Sequence, residues 1–229
     1  MTAYNEELEA TRLVARAKRD KEAAKDLREE NDIAGAIEVL AGAVKAYEES
    51  PLVAGLEAAP RASKPMRDVA TQLADLLGML GGNYRRLGQR DQAQACFERG
   101  SQLEASPLFE VMSSYNLVNA ITLPIESDSQ ALMAQREKLA RAVAAIEKQV
   151  AGERRNDRWA WADLAQCQLL LDRLDDALRS YARVRSLGDD DTFTSVIRVL
   201  ERLREAVPAL EARVEAAVKV LRPSDGADH

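Results

Sequence analysis

The stretch LLGMLGGNYRRLGQRDQAQACFERG, residues 76–100, decides how this chain folds. Its leucines recur at helical spacing, yet Gly78, Gly81 and Gly82 crowd into little more than one turn. Each glycine inside a helix costs about 1 kcal/mol relative to alanine. A helix that accepts about 3 kcal/mol of such cost needs a compensating reason, and close approach of a neighbour is the natural one. Gly88 falls where the apolar pattern stops, which suits the left-handed residue that ends many helices.

Outward from this stretch, apolar residues recur with a period near 3.6 almost throughout. Ala, Leu, Glu and Arg dominate, aromatics make up 4%, and β-branched runs bounded by turns are missing. The fold class is therefore all-α. Ten helices are expected. The first covers Asn5 to Glu30, and the second follows Asp32 as N-cap and stops before Pro51. Residues 51–65, with Pro60 and Pro65, read as a linker. The third helix spans Met66 to Leu87, and Asp91 is expected to cap the fourth. Pro107 is placed in the first turn of the fifth, which PIESDS, residues 124–129, should break. The sixth lies within 129–152, the seventh starts at Arg158, and the eighth starts at Leu174. Asp191 or Thr192 opens the ninth, and Pro208 starts a tenth that ends near Arg222. Residues 1–222 are taken as one helical domain, and 223–229 as a disordered tail.

Composition narrows the chemistry. The net charge is −6, whereas a general nucleic-acid binder normally shows a basic face and a high pI. No nucleic-acid partner is expected. The N-terminal segment lacks the apolar core of a signal peptide, and no apolar run reaches membrane-spanning length. A cytoplasmic location without membrane attachment follows as the default. The two cysteines, Cys96 and Cys167, sit in helical patterns as small apolar residues rather than as a disulfide. The one histidine is His229 at the end of the polar tail. A Ser-His-Asp or Cys-His constellation therefore has no histidine to use, and a zinc site has too few ligands. No catalytic residue, metal or cofactor is expected.

A repeat runs through the chain. Leu77, Leu80, Gly81 and Tyr84, followed by Ala93, Phe97 and Gly100, match Trp161, Leu164, Ala165 and Gln168, followed by Ala177, Tyr181 and Val184, at one constant offset. A weaker third copy surrounds Ala23, Leu27, Ala36, Leu40 and Ala43. The pattern resembles the tetratricopeptide repeat, a helix-turn-helix of about 34 residues. Residues 74–107 and 158–191 match it best, although the first copy has its closing proline two places late and the second lacks both the tyrosine and the proline. The resemblance implies an α-solenoid, a right-handed array of about ten antiparallel helices. LLGMLGGNYRRLG, FERGSQLE, SSYNLVNAITL and WADLAQCQLLLDRLDDALRSYARV also occur in an order similar to the TRAF-binding region of apoptosis-signalling kinases and its bacterial relatives. That looser likeness implies a signalling or conflict-associated scaffold and supplies no catalytic residues.

In the resembled repeat, positions equivalent to Asp75, Gly78, Gly82 and Arg85 face an inner groove. Glycines there leave floor space for a ligand or a neighbouring helix. Arg85 and Arg86, beside Asn83, suit bidentate binding of a carboxylate or phosphate, or else simply complement a helix C-terminus. Tyr115, Asn116 and Asn119 lie on one helix. The two asparagines would hold the backbone of an extended peptide, or would satisfy polar groups between packed helices. The carboxylate clamp known from some tetratricopeptide proteins is not supported, because its positions carry Gly78, Gly82, Ala162 and Gln166. Gln166 remains a groove candidate. Trp159 and Trp161 diverge by about 200° on a helix, which leaves Trp161 for the core and Trp159 for the groove. The basic loop 152–158 reads as solvated, and the acidic run 188–192 as a helix cap.

The expected function is a non-enzymatic interaction module that presents a helical groove to a peptide or partner protein. The alternatives are a structural oligomerisation element, pairing the first and last helices between chains, and a regulatory subunit of an enzyme.

Overall fold

A computed structural model describes residues 3–55 and 61–222. Pro60 in the expected linker, and the expected tail 223–229, lie outside the described residues. Among the described residues there are eleven α-helices, one short 3-10 turn and no strand. They are α1 (Ala3–Glu29), α2 (Ile33–Glu48), α3 (Pro51–Ala54), α4 (Lys64–Arg86), α5 (Arg90–Ala105), α6 (Tyr115–Ile125), α7 (Ala131–Ala151), α8 (Arg158–Leu170), α9 (Leu174–Leu187), α10 (Asp190–Ala206) and α11 (Glu211–Leu221). The protein is all-α, as expected. No described helix is long and apolar enough to cross a membrane.

Packing divides the chain into two compact units, with the boundary between Ala120 and Ile121 inside α6. The sequence reading treats both as one domain. In the first unit α4 packs on α1, α2 and α5, and α1 packs on α2. Leu13, Leu40, Tyr47, Leu73, Leu76 and Phe97 are fully enclosed there. Each such side chain contributes about 1.5–3 kcal/mol of transfer free energy. In the second unit α8 packs on α7 and α9, and α11 packs on α9 and α10. Leu139, Ile146, Leu169, Leu170 and Tyr181 are enclosed within that unit.

Three helical hairpins, α1–α2, α4–α5 and α8–α9, close with the same backbone turn. Asn31 (φ 64°), Gly88 (φ 74°) and Asp172 (φ 67°) occupy the left-handed position. The N–H after each bonds back five residues, Asp32 to Leu27, Gln89 to Tyr84 and Arg173 to Gln168. The left-handed residue itself donates three residues back, to Arg28, Arg85 and Leu169. This pair of bonds is the Schellman ending. Glycine, asparagine and aspartate are the residues that visit this conformation most easily. Gly88 was legible as such a residue, while Asn31 and Asp172 were not anticipated.

The repeat positions superimpose in burial. Ala36, Ala93 and Ala177 are fully buried, as are Leu40, Phe97 and Tyr181. In the α1–α2 copy the buried small residue is Ala24, whereas the expected Ala23 is exposed. The tyrosine missing from the α8–α9 copy has a polar substitute. Gln168 accepts a 2.8 Å hydrogen bond from the Ser180 hydroxyl inside the hairpin. Trp161 departs from its expected core role: it is half-buried, and its indole N–H donates 2.8 Å to the Arg155 carbonyl.

Several local expectations need correction. Pro51–Ala54, read as linker, forms α3, because the Ser50 hydroxyl caps it by accepting from the Leu52 N–H. Asp91 does not cap α5; Gln89 holds that place without a side-chain bond, and Asp91 sits inside the first turn. Pro107 lies in a turn before α6 rather than in its first turn, whereas α6 ends within 124–129 as expected, one residue past Pro124. The cap of α10 is Asp189, not Asp191 or Thr192, and it accepts from both the N–H and the hydroxyl of Thr192. Pro208 opens the 3-10 turn Pro208–Leu210, which leads into α11. Asp32 caps α2 as expected, accepting 2.8 Å from the Gly35 N–H.

Candidate functional site

The glycines of α4 meet two different neighbours. A methyl group on Gly81 would lie 2.8 Å from Phe97 Cε1, inside the hairpin. Gly81 is thus the contact point at which α5 lays its buried ring on α4, and alanine cannot replace it without displacing that ring. Gly78, one turn earlier, meets a different neighbour. Its added methyl would meet Tyr115 at 3.0 Å and Asn116 Oδ1 at 3.1 Å. The start of α6 therefore covers the floor at Gly78. On α5, Gly100 makes the same allowance, since a methyl there would come 2.3 Å from Asn116 Cγ. Asn116 is a buried wedge that both glycines accommodate.

What holds the wedge is Glu104, near the end of α5. Its carboxylate accepts from the Ser113 hydroxyl (2.7 Å), the backbone N–H groups of Asn116 (3.1 Å) and Leu117 (2.8 Å), and Asn116 Nδ2 (2.9 Å). The first N–H groups of a helix lack intrahelical partners and favour a nearby anion. Glu104 supplies both needs of α6 from another helix, a role no local motif announces. Asn116 Nδ2 also donates 3.0 Å to the Ala74 carbonyl.

Beside the wedge lies an open cavity of about 330 Å³ between α1, α4 and the start of α6. Asp75, Gly82, Arg85, Arg86, Tyr115 and Asn116 line it. These are six of the expected groove residues, brought to one place. Lys21, Arg28, Ala74, Met79 and Ser113 complete the lining and were not expected. Gly82 is bare enough to leave the cavity open; an added methyl would meet only the Tyr115 hydroxyl, at 3.3 Å. Tyr115 stands 42% exposed at the rim, edge-on to Phe97 with ring centroids 6.0 Å apart.

Charge is concentrated here. Lys21, Arg28, Arg85 and Arg86 surround one lining carboxylate, Asp75. Lys21 Nζ donates to Asp75 (3.0 Å) and to the Gln72 amide oxygen (2.8 Å). Arg85 donates 2.7 Å to Asn119 Oδ1, and its guanidinium lies 5.8 Å from the Phe97 ring centroid. Arg86 donates 3.0 Å to Asn83 Oδ1. These two amide contacts help orient the arginines.

The remaining candidates separate. Asn83 and Asn119 are buried beneath the arginines, so they position side chains rather than meet a ligand. Asn119 also donates 2.7 Å to the Tyr115 carbonyl. Asn116 and Asn119 both direct Nδ2 to protein groups, while Asn116 Oδ1 is buried with no hydrogen-bond partner. Gly78 is covered. Trp159 and Gln166 belong to α8 in the other unit. Trp159 is 44% exposed with Arg158 near its ring. In the basic loop before α8, Arg154 is buried and donates to Gln149 (2.6 Å) and Asp157 (2.8 Å). Gly152, Glu153, Arg155 and Asn156 of that loop are exposed, as expected, and buried Arg154 is the exception.

Burial pushes the Cys96 thiol up to about 11 and the Cys167 thiol higher still. Both resist forming a nucleophilic thiolate near neutral pH. Among the described residues, no three His, Cys, Asp or Glu side chains gather in a metal-binding group. Comparison with protein-family models and with curated proteins yields no match.

Proposed function

We propose that the protein is a non-catalytic interaction scaffold, built as a tetratricopeptide-like helical array, that holds a segment of a partner protein in the groove between α1, α4 and α6. One observation carries this reading. Six residues singled out for an inner groove line a single open cavity, and the glycine at its floor has no packing duty that demands it. The three hairpins with a shared Schellman turn and matching buried alanines support the repeat. A signalling or conflict-associated setting accords with the looser family likeness.

The test fills the groove without touching its charge. Gly82→Phe should abolish capture of the physiological partner from an extract of the source cells, identified by mass spectrometry. Gly82→Ala, which leaves most of the cavity open, should retain capture. Both variants should keep far-UV circular dichroism and melting temperature close to those of the parent protein. Unchanged capture by a folded Gly82→Phe protein overturns the groove assignment.

A further inference from the structure

We infer that the outward face of α1, with the groove beside it, pairs with a second copy of this chain as an antiparallel helix pair. The inward face of α1 is already covered in the first unit, where Ala10, Leu13, Ala17 and Ala24 are buried. A second groove, of about 600 Å³, runs between the first half of α1 and the start of α4. It shares no lining residue with the cavity beside Asn116, so this inference stands apart from the partner groove. Ala10, Val14 and Ala15 of α1 and Pro65 of α4 supply its apolar lining. Tyr4 and Leu8 stand beside it on α1, 74% and 61% exposed. Large apolar side chains left this open next to an apolar groove mark an interaction face.

Charge complementarity identifies the occupant. Glu7, Thr11, Val14 and Lys18 line the groove at alternating spacings of four, three and four, which sets them in one row along α1. About 16 Å of helix separates Glu7 from Lys18. Both are exposed, and neither has an ion pair among the described residues. Across the groove Lys64 is paired with Asp68 at 2.8 Å, and Glu6 accepts from the Ser63 hydroxyl at 3.3 Å. The row is its own complement when reversed. With a twofold axis at the level between Arg12 and Leu13, Glu7 of each copy meets Lys18 of the other, and Thr11 of each meets Val14 of the other. Threonine and valine share one branched shape, and Ala15 beside them leaves room for Leu8 of the second copy. A parallel pair would set Glu7 against Glu7 and Lys18 against Lys18, so the charges select the antiparallel order. Such a contact uses the same patch on both copies and closes at two. Its apolar part is small, so the dimer is a weak one that fills as concentration rises.

The test is sedimentation velocity of the full chain at low salt, where exposed charges are least screened. The protein should pass from monomer to dimer between about 5 and about 500 µM. Glu7→Lys and Lys18→Glu, each alone, turn two attractive contacts into two repulsive ones and should weaken self-association about tenfold. Mixed in equal amounts, these two variants should form a heterodimer within about threefold of the parent affinity, because opposite charges again face one another. Leu8→Glu should weaken the dimer as well. Arg141→Glu, at an exposed position on α7 in the other unit, should leave it within about twofold. All variants should keep the parent circular dichroism spectrum, since the altered side chains are exposed on a helix. A chain that stays monomeric across the range overturns the inference. So does a dimer that neither charge reversal weakens, a mixture of the two reversals that fails to pair, or assembly beyond two copies.

Discussion

At the residue scale, four glycines in and after one helix hairpin have different jobs, and their substitutions should differ in sign. Gly81 and Gly100 lie against enclosed groups, the Phe97 ring and the hydrogen-bonded Asn116. Overpacking such sites costs about 1–3 kcal/mol. Gly81→Ala and Gly100→Ala should therefore lower stability in urea unfolding by amounts in that range, with Gly100 the worse because Asn116 is tethered. Gly82 meets only the Tyr115 hydroxyl, at 3.3 Å on a half-exposed ring that must yield by a few tenths of an ångström. Gly82→Ala should recover part of the helix penalty, raising stability by up to about 1 kcal/mol. A destabilised Gly82→Ala protein would contradict this account. Gly78 falls between the two, since its neighbours must yield by only a few tenths of an ångström. From the sequence, Gly81 stood apart as a repeat position while Gly78 and Gly82 looked alike, because helical spacing places a residue on a face but does not say what covers that face.

At the scale of the element, two helices depend on acids the local pattern assigned elsewhere or not at all. Glu104 bridges the end of α5 to the first N–H groups of α6. Hydrogen bonds to a charged group are worth about 1.5–3 kcal/mol. Glu104→Ala should cost stability in that range and speed hydrogen exchange at the start of α6, while exchange in α1 and α2 stays slow. Uniform loss of protection across the first unit would argue against a local cap. Asp189 illustrates a cap whose strength depends on pH. The Thr192 hydroxyl, then the Thr192 N–H, hold its carboxyl below the ordinary value of 3.8, with Arg158 adding a smaller pull. A carboxyl depressed in the folded state stabilises fully above its unfolded value, and that stability is lost as pH falls through the lower folded value. Stability should thus decline on acidification below about pH 4, and Asp189→Asn, which still caps but does not titrate there, should show a shallower decline in melting temperature. Identical profiles would remove Asp189 from the acid response. The acidic run was rightly assigned to capping, but which of its aspartates turns inward depends on where the preceding helix releases the chain.

At the scale of the molecule, charge and periodicity act separately. With a net charge of −6, retention on a short DNA duplex or single strand should be absent at about 0.15 M salt in a gel-shift measurement, despite the cations in the groove lining. Tight, salt-sensitive retention would redirect the groove toward nucleic acid. The sequence by itself determined the helical class, most helix positions, the α4–α5 and α8–α9 hairpins and the Gly88 turn. Apolar period, caps and left-handed residues are local properties, so a linear reading reaches them. Only the tertiary structure decided that Asn83, Asn116 and Asn119 serve the interior, that Glu104 caps a helix it does not belong to, and that Lys21 and Arg28 join Arg85 and Arg86 around one cavity. Glu104 lies 12 positions from Asn116, Asn119 lies 34 from Arg85 and Lys21 lies 54 from Asp75, and no propensity or spacing rule connects residues that only packing brings within a few ångströms.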